Sequence, residues 1–171
     1  MIDMQAIFGD ASYKLTSSFG YRSPLGLPSG ASLFHQGVDW SVALGTKIGS
    51  FADGTVLDAG YNSAKGNYVT VKHSDGLISE YGHLDAISVN AGQSILKGGV
   101  LGSAGNTGIS SGTHLDFRIK KDGVYIDPLK YTGTAGDGSS SSIDVSGVTD
   151  IIKNNWYFIA GGLLLVAVFT K

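Results

Sequence analysis

The amino-acid sequence predicts an all-β fold, mainly antiparallel, followed by one apolar C-terminal segment. The chain has 26 glycines but only 3 prolines, a balance that suits tight turns between short strands. Short runs of β-branched and aromatic residues recur with Gly, Asn and Asp between them, and no long amphipathic helix pattern interrupts them. With 171 residues and 42% hydrophobic content, the chain can bury one ordinary core.

The predicted strands follow one another through the middle of the chain. In chain order they lie in the segments GTVLDAGY, GNYVTVKHSDG, LISEYGHL, GVLGSAG and HLDFRIK. The Asp-Gly pair between YVTVK and LISEY is a strong signal for a hairpin turn. The glycine-rich segment GSAGNTGISSG lacks the lysine of a phosphate-binding loop, so it is predicted to be a tight loop whose backbone can approach a ligand closely.

The last predicted strand carries a chemically suggestive pattern. Because side chains alternate across a strand, His114, Asp116 and Arg118 share one face, while the apolar residues between them share the other. The strand is therefore half-buried. The alternation leaves open whether the polar face meets only water or builds a reactive site.

Composition excludes several classes of function. The formal net charge of -2 gives no basic field for sequence-independent nucleic-acid binding, so no nucleic-acid partner is expected. The absence of cysteine excludes disulfides and thiolate metal sites, and any metal must be held by His, Asp or Glu. The opening MIDMQAIFGD lacks the basic and apolar regions of a secretory signal.

The four histidines lie in different local contexts. His35 precedes Asp39 by four residues, and the glycine and β-branched valine between them disfavour a helix, so this pair is expected on a loop that leads into a strand. His83 stands at the end of a predicted strand, and His73 stands beside the hairpin turn. Taken alone, a histidine near a strand end is more often a surface or hydrogen-bonded residue than a functional one, and spacing alone does not prove that the four residues converge.

The C-terminal part of the sequence has a different character. Residues 133–149 are rich in Gly and Ser, as in a flexible linker, and residues 150–171 form an apolar tail. Residues 154–170 are 17 uncharged residues, which as a helix extend ~25 Å and approach the ~30 Å hydrocarbon core of a bilayer. Trp156 and Tyr157 suit a membrane interface. The tail predicts a C-terminal transmembrane helix, and the alternative is a helix packed on the domain.

The motifs and their order resemble the M23 zinc metallopeptidases of the lysostaphin/LytM type, which cut peptide cross-links in peptidoglycan. The matching segments are SSFGYRSP, HQGVDW, GTKIGSFADGTVLDAG, GNYVTVKHSDG, EYGHLDAISVNAGQSILKGGVLGSAGNTG, SGTHLDFRI and YIDPLKY, which together cover roughly residues 15–131. The resemblance implies a compact, mainly antiparallel domain at residues 1–132, with a groove across it and one Zn²⁺ at the groove floor.

The resemblance also implies roles for individual residues. His35 and Asp39 match the first two zinc ligands of the family, while His83 and His114 match its two catalytic histidines that do not bind the metal. The third ligand of the family is the second His of an H-x-H motif, and here that position is Asp116.

Two outcomes follow from this departure. Asp binds Zn²⁺ through oxygen, so a His-Asp-Asp site is possible; its two carboxylates would make the ion a weaker Lewis acid, and Mn²⁺ or another harder ion would suit it as well. Alternatively, Asp116 forms a hydrogen bond with His114 or pairs with Arg118, and no metal binds. Arg22 is expected to be a structural partner for a carboxylate rather than a clamp on the substrate.

The expected function is a metal-dependent endopeptidase that hydrolyses cross-link or stem-peptide amides of peptidoglycan. Together with the absence of an N-terminal signal, the predicted anchor favours a phage lysin held in a virion membrane and contacting other virion proteins, with a bacterial cell envelope as the alternative location. The rival function is a catalytically degenerate M23-like protein that is structural or binds peptidoglycan in the virion. A soluble lysin whose tail disrupts membranes fits less well, because the tail lacks a basic polar face.

Overall fold

The computed structural model describes residues 2–131, and within this range the fold is an antiparallel β-structure with almost no helix. The single α-helix of this range and the strands, in chain order, are α1 (Met4–Phe8), β1 (Lys14–Ser17), β2 (Gly20–Tyr21), β3 (Phe34–His35), β4 (Val38–Ser41), β5 (Lys47–Gly49), β6 (Gly54–Asn62), β7 (Gly66–Lys72), β8 (Ile78–Ile87), β9 (Ser94–Ile95), β10 (Val100–Ala104), β11 (His114–Lys121) and β12 (Val124–Ile126), followed by a 3-10 turn at Pro128–Lys130.

Ten of these strands form one sheet, and β2 and β3 form a separate pair. The main path of the sheet is β1-β4-β11-β8-β7-β6-β9; β10 joins β8 to β5, and β12 pairs with the far end of β11. The predicted hairpin is confirmed: β7 and β8 pair antiparallel, and the backbone N–H of His73 donates to the carbonyl of Leu77. The turn contains Gly76 at a φ of 81°, a conformation that glycine adopts without strain.

The core lies against one face of the sheet, and β11 runs through its centre. Leu115, Phe117 and Ile119 are fully buried, which confirms the apolar face that the alternation predicts. The Phe117 ring packs against Tyr81 of β8 at a centroid distance of 5.3 Å and against Trp40 of β4 at 5.8 Å. Each such buried side chain contributes ~1.5–3 kcal/mol of hydrophobic stabilisation, so β11 is held firmly between its neighbours.

The register of β11 determines which polar side chains meet on the opposite face. Asp116 lies across from Asp39 on β4 and from Gly82 on β8, while His114 lies across from Ser41. Directly opposed residues have Cβ atoms about 4.5–5.5 Å apart, so the two aspartates are neighbours in the sheet. The core on one face therefore positions a polar cluster on the other.

The described residues lie within the predicted domain at 1–132, so the structure concerns this part of the domain assignment alone. Within residues 2–131, no helix is long and apolar enough to cross a membrane. The predicted linker at 133–149 and the predicted anchor at 150–171 lie outside the described residues.

Candidate metal site and catalytic groove

Three buried side chains converge at the junction of β3, β4 and β11. The Nε2 atom of His35 lies 3.2 Å from Oδ1 of Asp39 and 3.3 Å from Oδ1 of Asp116. One ligand atom from each residue lies within 4.8 Å of the other two. One imidazole nitrogen and two carboxylate oxygens at this separation form a donor set for a divalent cation.

Local backbone geometry brings these residues together. His35 ends the short strand β3 rather than lying in a loop, and Asp39 lies inside β4. Between them, Gly37 passes close to β11: a Cβ atom at this position would lie 2.5 Å from Cγ of Arg118 and 2.5 Å from the carbonyl oxygen of Phe117. Only glycine lets the chain cross β11 closely enough to place His35 above Asp116.

The electrostatics of the cluster favour a cation between the carboxylates. Burial lowers the pKa of His35, but hydrogen bonds to Asp116 and Asp39 outweigh this effect and raise the pKa to about 9. Burial raises the pKa of Asp116, yet the hydrogen bond from His35 and the charge of Arg118 hold it well below its usual range. In the absence of metal, a proton on His35 thus supplies positive charge between two carboxylates.

The donor set fits a metal ion. Nδ1 of His35 lies 3.1 Å from the Ser17 hydroxyl oxygen, so this nitrogen can hold the ring proton and leave the lone pair of Nε2 for a cation. Oδ1 of Asp39 and Oδ1 of Asp116 face the same point as Nε2. A cation would take the place of the shared proton, and the carboxylate charges that hold that proton would hold the cation.

His83 and His114 lie next to this cluster, with ring centroids 4.6 Å apart. Nδ1 of His83 lies 2.7 Å from the carbonyl oxygen of Thr107, and Nδ1 of His114 lies 2.7 Å from that of Gly112. A carbonyl only accepts, so Nδ1 carries the proton in each ring and Nε2 is left for other partners. Nε2 of His114 is 3.8 Å from Oδ1 of Asp39, so this ring adjoins the cluster of His35, Asp39 and Asp116.

The backbone at His83 departs from the expectation that it ends a strand. His83 lies inside β8, and it has a φ of 60°, which is rare for a residue with a side chain. The register between β7 and β8 shifts at the same place, and the backbone N–H of His83 donates to the carbonyl of Lys65 instead of to β7. Such an irregularity re-aims a side chain, and here it turns His83 towards His114. Burial lowers the pKa of His83, which keeps the ring neutral.

The fourth histidine, His73, belongs to the core. Its Nδ1 donates to the carbonyl of Asp53 at 2.7 Å, and its Nε2 accepts from the Ser79 hydroxyl at 2.8 Å. Burial lowers the pKa of His73. Both ring nitrogens are used within the fold, so His73 is a structural residue.

The cluster lies at the floor of an open groove of about 760 Å³. One wall comes from residues 26–34, and the other comes from residues 109–113 of the glycine-rich loop, as its composition indicated. The floor contains all five predicted site residues: His35, Asp39, His83, His114 and Asp116.

Two arginines complete the cluster. Arg22 lies with Nη1 3.5 Å from Oδ2 of Asp39 and donates from Nη2 to the carbonyl of Ser32, so it has the carboxylate partner that was expected for it. Arg118 donates from Nε and Nη2 to Asp116, so the pairing that the sequence left open is present. Ser17 had no signal in the sequence, because its contact with His35 depends on how β1 packs beside β4.

An imidazole and two carboxylates lie at the floor of a groove, beside two histidines whose Nε2 atoms make no hydrogen bond among residues 2–131, and this chemistry suits metal-assisted hydrolysis. The sequence model of Peptidase family M23 matches residues 33–128. The chain belongs to this family.

Relatives of known identity are peptidoglycan endopeptidases. The chain is 35% identical over 94 residues to the peptidoglycan DD-endopeptidase ShyC of Vibrio cholerae, a match that covers 55% of this chain and 22% of that protein. It is 32% identical over 131 residues to the glycyl-glycine endopeptidase ALE-1 of Staphylococcus capitis, covering 72% and 35%. The chain thus spans only about a quarter to a third of the length of these relatives.

Solved structures share the fold. A zinc-containing peptidase from Vibrio cholerae matches with a TM-score of 0.67 and 29% identity, over 75% of this chain and 40% of that one. The catalytic domain of the prophage-encoded M23 protein EnpA from Enterococcus faecalis, crystallised as a mutant, matches with a TM-score of 0.63 and 29% identity, over 74% and 95%.

Proposed function

We propose that this chain is a metal-dependent endopeptidase that hydrolyses cross-link or stem-peptide amide bonds of peptidoglycan. The observation that carries the proposal is the convergence of His35, Asp39 and Asp116 on one point at the floor of the groove. Membership of Peptidase family M23 and the endopeptidase names of its relatives support the substrate class.

Each residue of the site has a separable task. His35, Asp39 and Asp116 would hold the ion, Zn²⁺ or a harder ion such as Mn²⁺. When bound, the ion supplies Lewis acidity for attack of water on an amide carbonyl. His83 and His114 hold their Nδ1 protons on backbone carbonyls, so an Nε2 lone pair can accept a proton from the attacking water. A ring that is protonated at Nε2 as well can donate that N–H to the developing oxyanion or pass the proton to the leaving amine.

The groove suits a peptide attached to a larger polymer. The groove is open to solvent, and its wall at 109–113 includes Gly112, which allows close approach of a substrate backbone. Short stem peptides and glycine bridges have few bulky side chains, so both would fit between these walls.

The test is mass spectrometry of peptides released from purified peptidoglycan by the full chain, with added Zn²⁺ or Mn²⁺ and with chelator. We expect chelator-sensitive release of defined fragments, and the fragment masses identify the bond. His35→Ala should abolish release. Asp122→Asn is the matched control, because Asp122 is exposed in the turn after β11 and lies outside the groove lining.

A second candidate is a degenerate M23-like protein that binds peptidoglycan or has a structural role in a virion. The contact of Arg118 with Asp116 favours it, because an ion pair can hold Asp116 without metal. Under this alternative, the folded natural chain releases nothing with any metal, while Asp116→His gains activity.

We further propose that the enzyme is a phage lysin anchored in a virion membrane by residues 154–170, where it would also meet other virion proteins. The support is the run of 17 uncharged residues with Trp156 and Tyr157 at one end, together with a structural relative that is prophage-encoded. A bacterial cell envelope is the alternative location. Detergent-phase partitioning of the full chain and of residues 1–132 tests the anchor, and equal partitioning into the aqueous phase would refute it.

A further inference from the structure

The two oxygens of Asp116 have different surroundings. Oδ1 faces Nε2 of His35 at 3.3 Å, and it also accepts a hydrogen bond from Nε of Arg118 at 3.1 Å. Oδ2 accepts hydrogen bonds from Nε of Arg118 at 2.9 Å and from Nη2 of the same side chain. Arg118 therefore holds the outer oxygen with two donors, whereas the inner oxygen shares only Nε with it and also faces His35.

Arg118 makes its hydrogen bonds to Asp116. Its three hydrogen bonds within the described residues all go to Asp116. Glu80, which lies directly across from Arg118 on β8, is paired with Lys65 and Lys120 and accepts from the Tyr125 hydroxyl. The carboxylate of Glu80 is thus already neutralised by two lysines and does not depend on Arg118.

The packing around the guanidinium also favours one orientation. Cγ of Arg118 lies under Gly37, where a Cβ atom would collide with it, and Cζ lies 5.9 Å from the centre of the Tyr125 ring. The Arg118 side chain is 21% exposed and Asp116 only 3%. Without Arg118, Oδ2 would be a buried carboxylate oxygen with no other donor among residues 2–131, and such a group is strongly unfavourable.

Asp39 shows the same division of roles. Its Oδ1 lies 3.2 Å from His35, while its Oδ2 faces Arg22 at 3.5 Å. Each carboxylate of the cluster therefore has an inner oxygen for the centre and an outer oxygen beside an arginine.

We propose that Arg118 is a positioning residue that holds Asp116 as a monodentate metal ligand and offsets its charge, so that the Asp116–Arg118 pair acts as one neutral ligand. The inference rests on the proposed metal site. The formal charges of one divalent ion and the two carboxylates sum to zero. When the charge of Arg118 is included, the sum is +1. The pair thereby restores the charge that a neutral histidine would leave at this position.

Two physical effects of Arg118 on metal binding oppose each other. Its positive charge repels a cation, so if repulsion dominated, neutralising Arg118 would tighten binding. Its hydrogen bonds orient and stabilise the ligand, so if positioning dominates, the same change weakens binding. Residues that orient metal ligands typically change affinity by about 10–100-fold when mutated. The sign of the effect therefore separates a positioning residue from a competing cation.

The experiment measures Zn²⁺ affinity of the metal-free full chain by competition with a chromophoric chelator, together with the visible absorption of the Co²⁺ form. Arg118→Gln should weaken Zn²⁺ binding by about 10–100-fold and alter the Co²⁺ spectrum, because the freed carboxylate can turn and offer both oxygens. Arg118→Lys keeps the charge without the two-donor fork and should fall between Arg118→Gln and the natural chain. Lys120→Gln removes a cation two residues further along the same face and should leave both readouts unchanged.

A double variant tests whether Arg118 acts through Asp116. In an Asp116→His background, Arg118→Gln should change the Zn²⁺ affinity by less than about twofold, the range within which independent sites add. An equal loss in both backgrounds would overturn the inference, as would unchanged or tighter binding by Arg118→Gln in the natural background. If Arg118→Gln fails to fold, Arg118→Lys replaces it in the test. Weaker Zn²⁺ binding than in the natural chain would then support the inference, and unchanged or tighter binding would overturn it.

These outcomes remain distinct from failure of the proposed function. A natural chain that binds Zn²⁺ but releases no peptide refutes the endopeptidase, while the variants still judge Arg118. A natural chain that binds neither Zn²⁺ nor Co²⁺ overturns the inference about Arg118 as well.

Discussion

His83 and His114 form a pair of imidazoles whose centroids are 4.6 Å apart, and each ring donates its Nδ1 proton to a backbone carbonyl. The carbonyls belong to Thr107 and Gly112, which flank the same loop, so one loop fixes the tautomers of two rings from different strands. Fixing Nδ1 leaves Nε2 available in both rings. Under the proposed function, this arrangement would supply two proton-transfer groups beside the candidate metal site.

Replacing either histidine should therefore impair turnover without removing the metal. We expect His83→Gln and His114→Gln to lower the rate of peptide release by about 10²–10⁴-fold, the usual contribution of a positioned acid or base. Zn²⁺ stoichiometry, measured by elemental analysis of the purified variants, should stay as in the natural chain. Loss of metal together with activity in His83→Gln would show that His83 is a ligand instead.

Much of this site was predictable because strand geometry is regular. The period of two in HLDFRIK places Asp116 and Arg118 on one face, and the motif match assigns His35 and Asp39 to the same site. The choice between a metal ligand and an ion pair at Asp116 was not predictable, because both use the same face of β11. In the structure Arg118 holds Oδ2 with two donors, and Oδ1, which shares only Nε with it, still faces His35, so the ion pair does not turn Asp116 away from the cluster.

Other features depend on contacts between distant parts of the chain. The positive φ of His83 arises where β8 bulges against β7, and no local signal marks it. Helix α1 has only five residues, too few for a periodic pattern, and depends on Asp3 capping its first turn and on burial of Ile7 and Phe8. Such features come from tertiary packing that a single sequence does not display.

Breaking the Asp116–Arg118 pair should also destabilise the metal-free protein. Asp116→Ala leaves a largely buried guanidinium without its carboxylate, and we expect the free energy of unfolding in chelator to fall by about 3 kcal/mol. Urea denaturation measures the change. The double variant Asp116→Leu/Arg118→Met should lose less than Asp116→Ala, because it leaves no buried charge unpaired. If the double variant loses as much unfolding free energy as the sum of the losses in Asp116→Leu and Arg118→Met, the two residues are not coupled.

Stability should depend on pH through His73. Burial lowers the folded-state pKa of His73 below the unfolded value of 6.5, so the unfolded chain binds a proton first as the pH falls. The neutral ring therefore contributes stability that is fully present above pH 6.5 and is lost as the pH falls through 6.5 towards the folded-state pKa. Urea denaturation between pH 7.5 and pH 5 measures how the unfolding free energy changes with pH, a change to which His35 and His83 also contribute because their pKa values are shifted as well.

His73→Gln isolates that contribution. The variant lowers stability at pH 7.5, because the buried contacts to Asp53 and Ser79 are disturbed. Its unfolding free energy should nevertheless fall less steeply between pH 6.5 and 5 than that of the natural chain. Parallel pH curves for the two proteins would exclude His73 as the titrating group.

Gly37 should be essential to the site for steric reasons alone. In Gly37→Ala, the new Cβ would lie 2.5 Å from Cγ of Arg118, 2.5 Å from the Phe117 carbonyl oxygen and 2.8 Å from Oδ1 of Asp116. The backbone carbonyl cannot yield easily, so β3 and β4 must lift away from β11. We expect a loss of about 1–3 kcal/mol in the free energy of unfolding, as for other overpacked sites.

The same displacement should separate His35 from Asp116 and weaken Zn²⁺ binding, which chelator competition measures. Gly60→Ala is the matched control, because the nearest atom to a Cβ there is the Tyr68 hydroxyl at 3.8 Å, an ordinary contact outside the groove lining. The control should keep the Zn²⁺ affinity of the natural chain. If Gly37→Ala lost stability but kept full Zn²⁺ affinity, the close crossing of β11 would serve the fold alone, and the ligands would be positioned by their own strands.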